Sequence, residues 1–396
     1  MTVIRGQWSL DDRLERMLRE VPFEVPPGTA AVTVRLSYDR SQGVLDLGCA
    51  GPGGFRGWSG GARDEYTITP GWATPGYLPG EPEPGEWQVW LRLHRIPPRG
   101  LDYTLEIRTE TTAPAPPPEE AGPAHGERPP RRDIPDVDGL RWFAGDFHSH
   151  TVHSDGQLTV AELAELARGR GLDFLAVTDH NTVSHHPELG KTDRGITLLP
   201  GQEVTTDRGH ANVFGDVGWV DFREPVDSWV AHAEREGGLI SINHPLGGDC
   251  AWLQPVTRRP RIAEVWHSGW WDRRWGAPLA WADAWHPDLV AIGGSDFHRP
   301  GADGLPGSPT TWVLAEDTGA VLAAVAEGRT AVSAEPDAPL LLRLGDELLA
   351  LDADGLILVR PDGERLVVRG DRVLLPAAEG RHRLETHENE VMALCA

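Results

Sequence analysis

Twelve of the sixteen histidines lie between His148 and His298, far denser than an even spread along the chain would give. They stand beside carboxylates in short runs. His148, His150 and Asp155 belong to DFHSHTVHSDG, His180 to AVTDHN and Glu203 to PGQEV. His210 follows in GHANVFG, His244 in INHP, and Asp296 with His298 in GGSDFH. Neutral imidazole with carboxylate suits zinc, manganese or iron better than magnesium or calcium. In His-x-His on an extended segment, the period of two sends both rings to one side. A carboxylate such as Glu203 can bridge two cations. Two ions roughly 3.5–4 Å apart clamp attacking and leaving oxygens, and a bound water's pKa falls from about 15.7 towards about 7. These nine residues therefore predict a multinuclear hydrolytic centre. A lone histidine is more often structural or solvated; an ordered set is harder to read that way.

The elements that must position them come next. WFAGDF, DFLAVT, ITLLPG, ANVFG, LISIN, IAEVW and LVAIGG read as strands. Thr159–Arg168 reads as a helix opened by a Thr159/Glu162 capping box, Pro225–Glu236 as a helix with Pro in its first turn, and Gly276–Trp285 and Gly319–Glu327 as two more. Strands alternating with helices imply a parallel sheet, and this many units suggests a closed barrel. Most of the candidate ligands follow strands, and in a barrel the C-terminal strand ends form the catalytic face.

The barrel region spans 139–330. Residues 1–110 read as a β-sandwich-like domain, with strand-like AVTVRLSY, VLDLGC, WQVWLRL and DYTLEIRT and a short helix at Leu10–Leu18. Residues 111–138 are too rich in Pro, Gly and charge to build a core and are expected to form an extended linker. Residues 331–396, with LLLRL, LILVR, RLVVRG and RVLLP between DG and GD turns, read as a small C-terminal β-module.

Composition narrows the function classes. With 24% charged and 39% hydrophobic residues the chain reads as a soluble globular protein. The net charge of -23 repels a nucleic-acid backbone, so no nucleic-acid partner is expected. Bound cations would still allow a small anionic substrate. Cys49, Cys250 and Cys395 are few, odd in number and widely spaced, which speaks against a disulfide framework or a thiolate zinc site. The start lacks a secretory pattern and no stretch approaches a membrane span, so the chain reads as cytoplasmic without a membrane partner.

Taken in order, the six runs resemble the motifs of the PHP (polymerase and histidinol phosphatase) family. The likeness is greatest to its branch of metal-dependent phosphoesterases that includes carbaryl-hydrolase-like proteins, and it covers residues 142–330. The resemblance implies an α/β fold, a distorted (β/α)7 TIM-like barrel, with two or three divalent metal ions (Zn, Mn or Fe). It assigns His148, His150, Glu203 and Asp296 to a first metal and bridging Glu203 with His210 and His244 to a second. A third takes Asp155, His180 and His298. Many family members carry His where this chain has Asp155. Asp146 and Asp179 neighbour ligands and are candidates to orient imidazoles.

Beyond the ligands, Glu203 and Asp296 are catalytic candidates, and His185 or His186 could protonate a leaving group; both also read as surface-loop residues. Arg208 and Arg299 could grip a phosphate, or pair with nearby acids. His267 follows a strand and could line the site. Trp270 and Trp271 could wall it, although a tryptophan run of this kind more often packs a helix on a barrel. The favoured reading is a phosphoesterase cleaving a small phosphomonoester or phosphodiester by attack of a metal-bound hydroxide. The same metals could serve a carboxyl-type ester, carbamate or amide hydrolase, and a non-enzymatic metal-bearing binding module is the third reading.

Overall fold

The computed structural model describes residues 1–396 except 119–121, 123, 125, 193, 302, 303 and 396. The chain divides into two compact units. The first holds Met1–Ala121 together with two later loops, Thr151–Gln157 and Asp179–His185; the second holds Gly122–His150, Leu158–Thr178 and His186–Ala396.

In the first unit the strands are β1 (Thr2–Trp8), β2 (Leu18–Val25), β3 (Ala31–Tyr38), β4 (Val44–Gly51), β5 (Gly54–Gly60), β6 (Glu65–Ile68), β7 (Gly85–Arg95) and β8 (Leu101–Glu110). They form two four-stranded sheets, in the orders β1-β8-β3-β6 and β2-β7-β4-β5. Alternate residues of both sheets, among them Val32, Val34, Leu47, Val89, Leu91 and Leu105, share one buried core. A period of two on each strand builds such a core, and the unit is a β-sandwich. Helix α1 (Leu10–Glu15) is opened by a Ser9/Asp12 capping box.

The second unit opens with β9 (Arg141–Asp146), α2 (Val160–Gly169), β10 (Phe174–Val177), α3 (His186–Leu189), β11 (Thr197–Thr206) and β12 (Gly209–Phe214). It continues with α4 (Val226–Arg235), β13 (Leu239–Ile242), β14 (Ile262–His267), α5 (Ala277–Trp285), β15 (Val290–Gly294), β16 (Thr310–Ala315), α6 (Val321–Ala326) and β17 (Thr330–Ser333). The capping box forms as the sequence predicts, Glu162 N donating to Thr159 Oγ1 and Thr159 N to Glu162 Oε2. Pro225 stands one place earlier than expected, at the N-cap of α4.

The sheet is mixed, unlike the parallel sheet expected from the alternation. Strands β9-β10-β11 are parallel, as are β13-β14-β15, but β12 lies antiparallel between β11 and β13. The reason is the link: only Asp207 and Arg208 join β11 to β12, too little chain for a crossover helix. Strand β16 returns antiparallel to β9. At the other end, Thr311 Oγ1 accepts from Gly293 N at 2.7 Å and Thr330 Oγ1 donates to Ala291 O at 2.9 Å, so β15 touches β16 and β17 through threonines.

The remaining strands are β18 (Leu340–Leu344), β19 (Glu347–Leu351), β20 (Ile357–Val359), β21 (Arg365–Val367), β22 (Arg372–Pro376), β23 (His382–Glu385) and β24 (Val391–Cys395). Strand β24 pairs with β17, which extends the large sheet to thirteen strands, while β18-β19-β22 form a small separate sheet. Leu340, Leu341 and Leu342 are all fully buried, in one core with Trp142, Leu163 and Trp312. Each such leucine contributes about 1.5–3 kcal/mol by leaving water. The stretch before β9 lies along this unit: Arg131 Nη2 is 2.6 Å from Asp173 Oδ1, which Arg128 also contacts. No helix among the described residues is long and apolar enough to cross a membrane.

Candidate metal centre

The centre is built at the ends of strands in the second unit. His148 and His150 follow β9, both fully buried. Asp146, also buried, accepts from His148 N (3.0 Å), Ser295 N (3.1 Å) and Gly307 N (2.8 Å). This carboxylate therefore fixes the backbone of the segments that follow β9 and β15, rather than orienting an imidazole. Gly294 has no room for a side chain, since a Cβ there would lie 2.6 Å from His148 Cβ.

Glu203 on β11 is the hub. Its Oε1 lies 3.2 Å from His148 Nε2, 3.1 Å from His210 Nδ1 and 3.2 Å from His244 Nε2. Asn243 Nδ2 donates to the same oxygen at 2.9 Å. Asp296 Oδ1 lies 3.2 Å from His148 Nε2 and 3.1 Å from His150 Nε2. Two of these residues hold left-handed backbone, His244 at φ 26° and Asp296 at φ 55°. Such positions cost of order 1–3 kcal/mol each and persist where the surroundings fix them. Here His244 N donates to Glu264 Oε2 and Asp296 N to His148 O, each at 3.0 Å.

These distances fit a cation. His148 Nδ1 is 2.7 Å from Glu264 Oε1. An ionised carboxylate only accepts, so Nδ1 carries the proton and Nε2 presents a lone pair. That lone pair faces Glu203 Oε1 and Asp296 Oδ1, and among the described residues no donor meets His148 Nε2. Lone pair facing lone pair in a buried site calls for a positive charge between them. Bonds of 2.0–2.1 Å in a tetrahedron place neighbouring donor atoms about 3.3 Å apart, close to what is seen. His148, Glu203 and His244 form one group whose donor atoms could share an ion, and His148, His150 and Asp296 another.

The surrounding carboxylates make this a site that draws positive charge, whether a proton or a cation. Burial disfavours a charged His148, yet Glu264, Glu203 and Asp296 hold its pKa well above the usual value. His244 is raised as well, with burial opposing Cys250, Glu203 and Asp296. Burial works against ionisation of Asp296, but His148, His150 and His244 pull its pKa far below the carboxylate range. Burial and neighbouring His244 push His267 down to about 3.

The motifs of the second unit resemble those of PHP proteins. No family model matches the chain. The 5′-3′ exoribonuclease Rnm of Escherichia coli is 31% identical over 119 residues, 29% of this chain and 33% of that protein. A 3′,5′-nucleoside bisphosphate phosphatase of Chromobacterium violaceum is 34% identical over 96 residues, 24% of this chain and 34% of that protein. The chain thus spans about a third or less of the length of the curated relatives it matches. Among solved structures, a two-domain protein of Bacteroides vulgatus containing predicted PHP-like metal-dependent phosphoesterase aligns with TM-score 0.43 and 19% identity, over 68% of this chain and 91% of that chain.

Of the residues the PHP motifs single out, His148, His150, Glu203, His210, His244 and Asp296 converge as described. His298 stacks on His150 with ring centres 4.1 Å apart, and its Nδ1 donates to Asp296 O. Asp155 and His180 meet in the first unit, Asp155 Oδ1 lying 3.4 Å from His180 Nε2. There, buried Asp179 accepts from Thr151 N and Oγ1 and from Ser154 Oγ, and lies 3.2 Å from His185 Nδ1. His186 opens α3 and donates from Nε2 to Gly201 O.

The substrate candidates scatter. Arg208 is exposed and donates to Leu253 O; Arg299 is exposed. Trp270 is buried, T-shaped against Trp266, with its Nε1 donating to Trp275 O, whereas Trp271 is 86% exposed. His267 is buried 6.3 Å from the His244 ring, its Nδ1 accepting from Gly269 N. Its Nε2 therefore carries the proton, and among the described residues that N–H has no acceptor.

Sequence reasoning missed Glu264 and Asn243. Glu264 is the single acid in the apolar run IAEVW and has no exposed surface. A buried carboxylate demands partners, and that was the available signal.

Proposed function

We propose that the chain is a metal-dependent phosphoesterase that cleaves a small phosphomonoester or phosphodiester. The observation that carries the reading is the convergence of His148 Nε2, His210 Nδ1 and His244 Nε2 on Glu203 Oε1. On this reading His148, His150, Glu203 and Asp296 hold one divalent ion, and Glu203, His210 and His244 a second. Asp155 and His180 serve a further position in the first unit. The mixed imidazole–carboxylate set favours Zn, Mn or Fe. When bound, such ions acidify a water and neutralise phosphoryl oxygens.

The protein's own groups have distinct tasks. Glu264 holds His148 in the tautomer that exposes Nε2. Asn243 fixes the Glu203 carboxylate. His267, whose Nε2–H meets no acceptor among the described residues, donates to a substrate oxygen. Threonine contacts from β15 to β16 and β17 support a distorted (β/α)7 barrel in which the ligands share one catalytic face.

The relatives named an exoribonuclease and a nucleoside bisphosphate phosphatase favour phosphoester over carboxyl-type substrates. Because exoribonucleases are among them, a short RNA belongs in the assay despite the net charge of -23. The metal-loaded chain is assayed with nitrophenyl phosphates, nucleoside bisphosphates, a 5′-phosphorylated oligoribonucleotide and naphthyl carbamates. Turnover of at least one phosphate ester is expected. Turnover of carbamates alone, or of nothing, would overturn the assignment.

A further inference from the structure

The loops Thr151–Gln157 and Asp179–His185 leave strands β9 and β10 but cluster with the N-terminal sandwich. Specific hydrogen bonds account for that. Arg63, in the turn between β5 and β6, forks its guanidinium over two carbonyls of the first loop. Its Nη1 donates to Ser154 O at 3.1 Å and its Nη2 to Val152 O. These carbonyls flank His153, and Asp155 follows directly. Gly76 uses both backbone groups on the second loop: its N donates to Ser184 Oγ at 3.0 Å and its O accepts from Thr182 Oγ1 at 2.9 Å. Ser184 Oγ in turn lies 2.8 Å from His153 Nδ1 and so ties the two loops together. Gly76 sits at φ +99°, and a Cβ there would lie 2.8 Å from Trp58 O and 3.0 Å from His153 O. Only glycine brings the sandwich backbone this close to the loop.

We propose that Arg63 and Gly76 of the sandwich are positioning residues for metal binding, holding in place the two loops that present Asp155 and His180. The sandwich is then part of the metal-binding machinery. Its contribution is geometric: neither residue offers a ligand, Arg63 acting through the carbonyls that precede Asp155 and Gly76 through the hydroxyls of Thr182 and Ser184 shortly after His180. A guanidinium suits the task, because its planar fork spans two carbonyls that one ammonium cannot satisfy together. This rests on the reading of Asp155 and His180 as a metal position.

The test is calorimetric titration of Mn2+ into the chelator-treated full chain, with elemental analysis of the loaded protein. The variants are Asp155→Ala, Arg63→Met and Arg63→Lys. Asp155→Ala is expected to lose one class of site. Arg63→Met is expected to keep that class with affinity lowered roughly 10–100-fold, as for partners that orient ligands, and to leave the remaining sites at wild-type affinity. Arg63→Lys falls between. If Arg63→Met does not fold, Ser184→Ala, which removes the Gly76 and His153 contacts while keeping the guanidinium, is expected to weaken the same class. Loss in Asp155→Ala with wild-type binding in both Arg63→Met and Ser184→Ala would overturn the positioning role alone. Equal weakening of every site in Arg63→Met would reduce Arg63 to a general structural part and also overturn it. A full set of sites in Asp155→Ala would remove the metal position itself, and the inference with it.

Discussion

His148 Nδ1 lies 2.7 Å from Glu264 Oε1, and neither side chain has exposed surface. One carboxylate thereby selects the imidazole tautomer, and its other oxygen holds His244 N. Two candidate ligands that follow different strands are set by a residue that is not itself a candidate ligand.

Glu264→Gln keeps the shape but replaces a charged acceptor with an amide, weakening its hold on the His148 Nδ1 proton. Metal affinity, read by competition with a chelator, should fall roughly 10–100-fold while far-UV dichroism stays native. Unchanged affinity would show that the contact is only packing.

His244→Ala removes a donor from Glu203 Oε1. Phosphate-ester hydrolysis should drop by orders of magnitude in kcat/KM with the fold intact. Wild-type kinetics would contradict its place among the ligands.

Thr159→Ala tests the scaffold apart from the site. It removes the acceptor of Glu162 N at the start of α2. A stability loss of about 0.5–2 kcal/mol is expected in urea unfolding, with metal content unchanged. No loss would mean that the cap is idle.

Thiol accessibility separates the three cysteines. Cys49 and Cys395 are buried, and burial pushes both thiols up to about 12, so neither forms thiolate near neutral pH. Cys250 is half-buried. Alkylation of the native chain followed by mass mapping should find label on Cys250 and only on unfolding at the other two. Native labelling of Cys49 would contradict the packed sandwich core.

The candidate metal centre was legible because coordination restricts residue types. His148, Glu203 and Asp296 could be read before any contact was known, since few other roles put those side chains after successive strands. Glu264 was not, because one acid inside IAEVW carries no pattern of its own. Strand β12 was visible as ANVFG, but its direction depends on the two-residue link Asp207–Arg208, whose brevity the alternation argument passed over. Strand β1 escaped because its residues are mostly exposed, which leaves no hydrophobic period, and glycine-rich GFRGWSG concealed β5. Arg63 and Gly76 were out of reach for another reason. Their partners lie 89 to 108 positions away, and nothing local marks the bond.

The most direct test of the central claim is metal content per chain, measured by elemental analysis after reconstitution, for the wild type and Glu203→Gln. Glu203 is the oxygen donor on which three histidines converge. The wild type should hold at least two equivalents of Zn, Mn or Fe, and Glu203→Gln should lose most of this while remaining folded. A wild-type chain that retains no stoichiometric metal, or a Glu203→Gln chain that retains all of it, would contradict the account.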